Sequence, residues 1–346
     1  MDSLTHIVFG AALGEAMLGK KIGHKAALIG AIANSLPDID VVATMLIHDD
    51  LRYLEVHRSY SHAALTLILI SFPLASLFNR WFKDKFSYGY WYTFWCTALL
   101  AHSLLDGFTT FGIQLLLPFS NMLIGFNNLS IIDPLFTLPV TILVVICLFL
   151  SKENPLRLSL AKSALTYCCI YLVITFGMKY KAHSVFKEDL ASKNIVANGV
   201  YTTPTMLNCL LWSGIAVTQD SIYTGEYSVL QKSNDVKWLA FPKNDQALDV
   251  IPLKDDIATL KWFSQGKYFV WQQNDTIKFF NIKWGRADYR YQEPEKTFLF
   301  YFQFYKENGV WKRSVVEPKL DGKIGDAIRM IFNRIMDKPL PPVPLK

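Results

Sequence analysis

Charge is scarce in this sequence. Only 18% of its 346 residues are Asp, Glu, Lys or Arg, against about 25% in ordinary soluble domains. With 51% hydrophobic residues, the chain is neither disordered nor collagen-like, and it fits a wholly soluble protein poorly. Cysteine pairing is also missing. Cys96, Cys147, Cys168, Cys169 and Cys209 form no CxxC, and four sit in apolar runs, so neither a disulfide framework nor a zinc finger is expected. HExxH, GxSxG and a P-loop are lacking, which argues against those enzyme classes. Asp2 stands where a signal peptide carries its basic residues, so no cleavable leader is expected.

What is present is unevenly spread. Residues 1–179 hold 12 basic and 11 acidic residues, and residues 180–346 hold 23 and 18. The expectation is an α-helical polytopic membrane domain over 1–179, followed by a mainly β, water-facing domain over 180–346. Four apolar stretches read as spans: Ala63–Phe78, Tyr88–Leu105, Leu135–Leu150 and Ser163–Met178. Pro73 should kink the first, and Trp91 and Trp95 read as interfacial aromatics. Ser3–Leu18 and Ile22–Leu36 read as a short helical hairpin, giving about six spans. Gly10 and Gly14 on one arm, and Gly23, Ala27 and Ala31 on the other, suit close helix approach.

Basic residues set the expected orientation. Lys20, Lys21 and Lys25 lie at the first turn, Arg80, Lys83 and Lys85 in the second loop, and Lys152, Arg157 and Lys162 in the third. All three fall on one side, which the positive-inside rule makes cytoplasmic. The tail then lies outside the cytoplasm.

The remaining ionisable residues of the first half gather on the other side. Asp2 and His6, and His102 and Asp106, are each four apart, a helical-face spacing. Asp38 and Asp40 follow Pro37, where an extended turn would point both to one side. His57, Arg58 and His62 precede the third helix, with His57 in a loop, Ser59 or Ser61 as helix cap and His62 in the first turn. Candidate metal ligands are His6, Asp38, Asp40, His57, His62, His102 and Asp106. A mixed imidazole and carboxylate set fits a divalent ion, Zn first, with Mn or Fe as alternatives. Asp2 and Asp40 are candidates for general-base work, and the fork of Arg58 suits phosphate. Asp133 reads as a helix cap or an extra ligand. His24 and His48 read as surface histidines, and His183 as interfacial.

The opening Met1-Asp2-Ser3-Leu4-Thr5-His6, the Pro37-Asp38-Ile39-Asp40 turn, the His57-Arg58-Ser59-Tyr60-Ser61-His62 block and the His102/Asp106 pair occur in an order that resembles the YdjM family of bacterial inner-membrane proteins. Phe111-Gly112, Leu117-Pro118-Phe119-Ser120 and Ile132-Asp133-Pro134 extend the resemblance, and Thr203-Pro204-Thr205, Asn208 and Trp212 resemble the start of that family's tail. The resemblance implies a metal-dependent hydrolase of the inner membrane. The site is similar in style to that of zinc-dependent phospholipase C enzymes, without their processed N-terminal Trp ligand. The expected partners are membrane lipids and a lipid or lipid-linked substrate, with no nucleic acid. Phosphoester hydrolysis leads. Amide or ester hydrolysis, and a non-catalytic envelope role, stay open.

Phe108–Ile131, broken by Gly112, Pro118 and Gly125, reads as a membrane-hugging loop over the site. In the tail, Tyr223–Leu230, Val236–Phe241, Tyr268–Gln272, Thr276–Ile282 and Thr297–Tyr305 read as strands, with a hairpin turn at Asn308-Gly309. Lys323–Met336 reads as a helix before the proline-rich end at Pro339–Pro344. The tail's net positive charge favours an anionic lipid surface.

Overall fold

The computed structural model describes residues 1–44, 49–317 and 324–340. His48, Lys323 and the end of the proline-rich segment lie outside the described residues. The chain divides into a helical unit, Met1–Thr175, and a second unit from Phe176 onward.

The helical unit opens with α1 (Ser3–Ile22) and α2 (Lys25–Ser35), joined at Gly23. A 3-10 turn, Leu36–Ile39, leads into the short helices α3 (Asp40–Thr44) and α4 (Asp50–Val56). A second 3-10 turn, Tyr60–His62, precedes α5 (Ala64–Trp81), and α6 is Tyr88–Gly107. After the irregular segment to 133 come α7 (Pro134–Phe149) and α8 (Leu156–Ser192). Side-chain caps fix several starts. Asp2 accepts from Thr5 N, Ser87 from Tyr90 N, and Asp133 from Leu135 N and Phe136 N, with Pro134 at the first helical position of α7.

Among the described residues, two helices are both long and apolar enough to cross a membrane, α5 and α8. The expectation of six spans is not supported. At about 1.5 Å per residue, the 11 residues of α2 and the 16 of α7 fall short of a hydrocarbon core about 30 Å thick. The 20-residue helices α1 and α6 are long enough, but polar residues dilute both. Many apolar positions face the unit's interior instead of lipid. Trp91 and Trp95 show this clearly. They are buried among Phe78, Phe94 and the α1/α2 pair, not placed at an interface.

The α1/α2 hairpin depends on missing side chains. A Cβ on Gly14 would stand 2.1 Å from Ala26 O, and one on Gly30 would stand 2.0 Å from Gly10 O. Backbone therefore touches backbone. The stripe on α2 is Ala26 and Gly30, one position away from the expected Gly23, Ala27 and Ala31.

The unit's two ends differ in chemistry. At one end Lys21 Nζ donates to Lys85 O (2.6 Å), His24 Nε2 meets Leu148 O (3.0 Å), and Arg157 pairs with buried Glu15. The three basic turns meet there. His6, Asp106 and the start of α5 lie at the other end.

The second unit holds two antiparallel four-stranded meanders. The first is β1 (Gly199–Pro204), β2 (Leu211–Val217), β3 (Ser221–Ser228) and β4 (Leu239–Pro242). After α9 (Lys254–Ser264), the second contains β5 (Tyr268–Gln273), β6 (Thr276–Asn281), β7 (Tyr301–Glu307) and β8 (Val310–Val316). One helical turn, α10 (Pro294–Thr297), stands where a strand was expected to begin, and α11 (Ile324–Ile335) follows the sheets. Asn308 (φ 52°) and Gly309 (φ 78°) form the two-residue turn between β7 and β8. The sequence reading missed β1 and β2, and it ended α8 too early.

The glycine contact yields a test. Gly30→Ala should destabilise the protein by about 1–3 kcal/mol through overpacking. Gly89→Ala, whose Cβ would meet nothing within 4 Å, should not. Thermal midpoints in one neutral detergent compare the two, and equal midpoints would refute the backbone contact.

Candidate metal centre

Four ligand atoms converge at the polar end of the helical unit. They belong to Asp38, His62, His102 and Asp106, and all lie within 4.8 Å of one another. His62 Nε2 is 3.0 Å from His102 Nε2. Asp38 Oδ1 stands 3.6 and 3.5 Å from those nitrogens, and Asp106 Oδ2 stands 3.3 and 3.6 Å from them. Ligands at zinc-like bond lengths of about 2.0–2.2 Å stand roughly 3.3–3.6 Å apart around a tetrahedron.

The two tautomers follow from the other ring nitrogens. His102 Nδ1 donates to Asn34 O at 2.5 Å, because a carbonyl can only accept. Ser61 Oγ donates to Asp40 Oδ2 (2.8 Å), so it accepts from His62 Nδ1 (2.9 Å). Each neutral ring therefore presents a bare lone pair at Nε2. Burial lowers the pKa of His62 and favours its neutral form. Asp106 Oδ2 is buried and accepts no hydrogen bond. Two lone pairs and two carboxylate oxygens facing one another repel unless a cation lies among them. The donor set thus fits a divalent metal.

The other candidate residues surround this group in distinct roles. His6 stacks on His102, with ring centroids 3.8 Å apart, and its Nε2 meets Asp106 Oδ1 at 3.2 Å. The Met1 amine also pairs with Asp106 Oδ1. Asp40 lies on the far side of the His62 ring. Its Oδ1 is 3.2 Å from His57 Nδ1, and its Oδ2 accepts from Arg58 N (2.9 Å) and Ser61 Oγ. Asp40 and His57 are therefore outside the four-atom group. The expected extended turn is instead a 3-10 turn entering α3, which sends Asp38 and Asp40 to opposite edges of His62. Asp2 caps α1 through Thr5 N and Thr5 Oγ1 and does not reach the group. Asp133 caps α7 and accepts from Tyr171 Oη. Neither Ser59 nor Ser61 caps α5, whose N-cap is Ala63, and His57 closes α4.

Arg58 is buried and sits at φ 61°, a left-handed conformation uncommon for a residue with a Cβ. Its Nε is 3.0 Å from Asp106 Oδ2, its Nη1 donates to Thr109 Oγ1 (3.1 Å), and its guanidinium lies 4.9 Å from the Phe111 ring centre. Gln114 N donates to its carbonyl at 3.0 Å. That bond anchors the irregular segment, which folds back through Ile113 and Ile124 and exposes Leu116, Phe119 and Met122. His24 lies at the basic end, and His183 Nδ1 meets Thr202 Oγ1. Sequence reasoning missed Asn34, Ser61 and Thr109. Ser61 alone carried a signal, as a hydroxyl inside the His57–His62 block.

The family model described as YdjM inner membrane protein matches residues 1–181, so the chain belongs to that family of inner-membrane proteins. A relative, the uncharacterized protein YfhP of Bacillus subtilis (strain 168), is 24% identical over 235 residues, covering 65% of this chain and 68% of that protein. No solved structure matches the chain.

The assignment of donors can be checked directly. His102→Ala and Asp38→Ala should each lower bound metal at least tenfold in elemental analysis of purified protein. His24→Ala should leave it unchanged. Asp2→Ala should cost about 1 kcal/mol of stability through the lost cap while retaining metal. Equal metal in all four variants would sink the site.

Proposed function

We propose that this protein is an integral membrane, metal-dependent hydrolase acting on a phosphoester of a lipid or lipid-linked substrate. The observation that carries this reading is the pair of bare imidazole nitrogens facing each other beside two carboxylates. Asp38, His62, His102 and Asp106 would hold the ion, with zinc first by donor chemistry. A divalent ion held by them would supply Lewis acidity and lower the pKa of a water toward neutrality. Asp40 orients the His62 ring and holds His57 by its Nδ1, which leaves His57 Nε2 to move a proton at the site's edge. Arg58 brings positive charge beside Asp106 and adds a guanidinium for a phosphoryl oxygen. The apolar side chains Leu116, Phe119 and Met122 on the covering segment suit acyl chains of a lipid substrate.

Amide or ester hydrolysis by the same centre is the second reading. It is favoured by one observation: Arg58 already engages Asp106 and Thr109. Arg58→Lys separates the two. It keeps the charge and loses the fork, so phosphoester turnover should fall by about 1.5–3 kcal/mol, roughly 10- to 150-fold in kcat/KM. Metal content should not change. Parallel assays on phospholipid and lipid-amide substrates decide the matter. Amide turnover alone, indifferent to Arg58→Lys, would reject the phosphoesterase.

The reading also places the basic end in the cytoplasm and the metal centre and tail outside, because three basic turns gather at one end. A cysteine at Ser233 should then label from outside intact cells, and one at Ser87 should not. The reverse pattern would move the chemistry to the cytoplasm.

A further inference from the structure

A cavity lined by several charged residues lies wholly within the β-containing unit, apart from the metal centre. It encloses about 580 Å³ between the end of β3, the segment 231–239, the segment 286–292 and α11. Ligand pockets typically span about 300–1,000 Å³. Three guanidinium groups line it, those of Arg286, Arg290 and Arg334. Two are neutralised by buried carboxylates. Arg286 grips Glu226 through Nε and Nη2, and Arg290 grips Asp288 through Nε and Nη2. Arg334 is different. Its Nη1 donates to Gln231 Oε1 (3.3 Å) and its Nη2 to the Glu226 carbonyl (2.5 Å), both neutral oxygens. Among the described residues, no carboxylate lies within ion-pairing distance of it. These two bonds hold the guanidinium in place, so an anion reaching it need not order a flexible side chain.

We infer that this cavity binds a phosphate-bearing ligand, with Arg334 as the principal contact. Exposed Lys237 and Lys338 stand at the rim with exposed Asp235 and Asp337, Asp235 being paired with Lys193, and the five basic residues of the lining outnumber its three acidic ones. A guanidinium offers a phosphate paired, charge-assisted hydrogen bonds. Tyr289, Leu239 and Leu340 supply ring and apolar wall for the esterified group. Two sources share this chemistry, a soluble phosphate ester and a phospholipid headgroup.

The test is calorimetric titration of the full chain in neutral detergent at fixed ionic strength. The protein carries Asp38→Ala, so that the metal centre contributes nothing. The titrants are inorganic phosphate, glycerol 3-phosphate and short-chain phosphatidylglycerol. Binding should weaken at least tenfold in Arg334→Gln and several-fold in Arg334→Lys. Binding by the soluble phosphates supports a soluble ligand, and binding by the phospholipid alone supports the headgroup. Lys237→Gln, on the exposed rim, should weaken binding about twofold to fivefold and supplies the comparison if Arg334 variants misfold. Absence of binding by all three titrants, or equal affinities in wild-type and folded variant cavities, overturns the inference.

Discussion

Two neutral imidazole nitrogens with only lone pairs to offer lie 3.0 Å apart, with two carboxylate oxygens beside them. That repulsion is the constraint on which the helical unit depends. Nothing in the four groups relieves it. His102 is locked by the Asn34 carbonyl and His62 by Ser61, so neither ring can turn its proton toward the other. Arg58 and the Met1 amine balance part of the charge on Asp106, and the two bare nitrogens still face carboxylate oxygens in a largely buried place, where electron-rich atoms are costly. A binding centre for a cation is the economical explanation of such an arrangement.

The four donors come from three parts of the chain: the turn after α2, the turn before α5, and α6. With Gly10, Gly14 and Gly30 carrying no Cβ, α2 lies against α1, and near its end Asn34 O meets His102 of α6. Asp38 follows one turn later. The hairpin thus serves the site, and its small residues Gly10, Gly14 and Gly30 face inward. The aromatic side chains of α6 then fill the space beside it.

Much of the candidate site was legible because helical spacing is reliable. His102 and Asp106, four apart on α6, do lie at one place. The same rule misjudged Asp2, because a carboxylate at a helix start has a competing use as a cap. Asp38 and Asp40 looked equivalent in sequence. A 3-10 turn separates them, and no pattern of residue types distinguishes that turn from an extended one. The span count failed for a related reason. An apolar run reports how many side chains avoid water, not whether they meet lipid or another helix. Strands beside strong turn signals, such as β7 and β8 around Asn308-Gly309, were readable. The first two strands lacked such signals, and their partner-dependent register was hidden.

Asp40 holds His57 with one oxygen, and with the other it holds the Arg58 backbone and the Ser61 hydroxyl that fixes His62. A single carboxylate therefore sets the positions of four neighbours in a six-residue block. Such residues do not vary independently. Removing Asp40 and removing Ser61 disable much the same device, so their combined effect should fall well short of the sum of the separate effects. Change in this block would proceed through the block as a whole, since a replacement suited to one partner of Asp40 unsettles the rest.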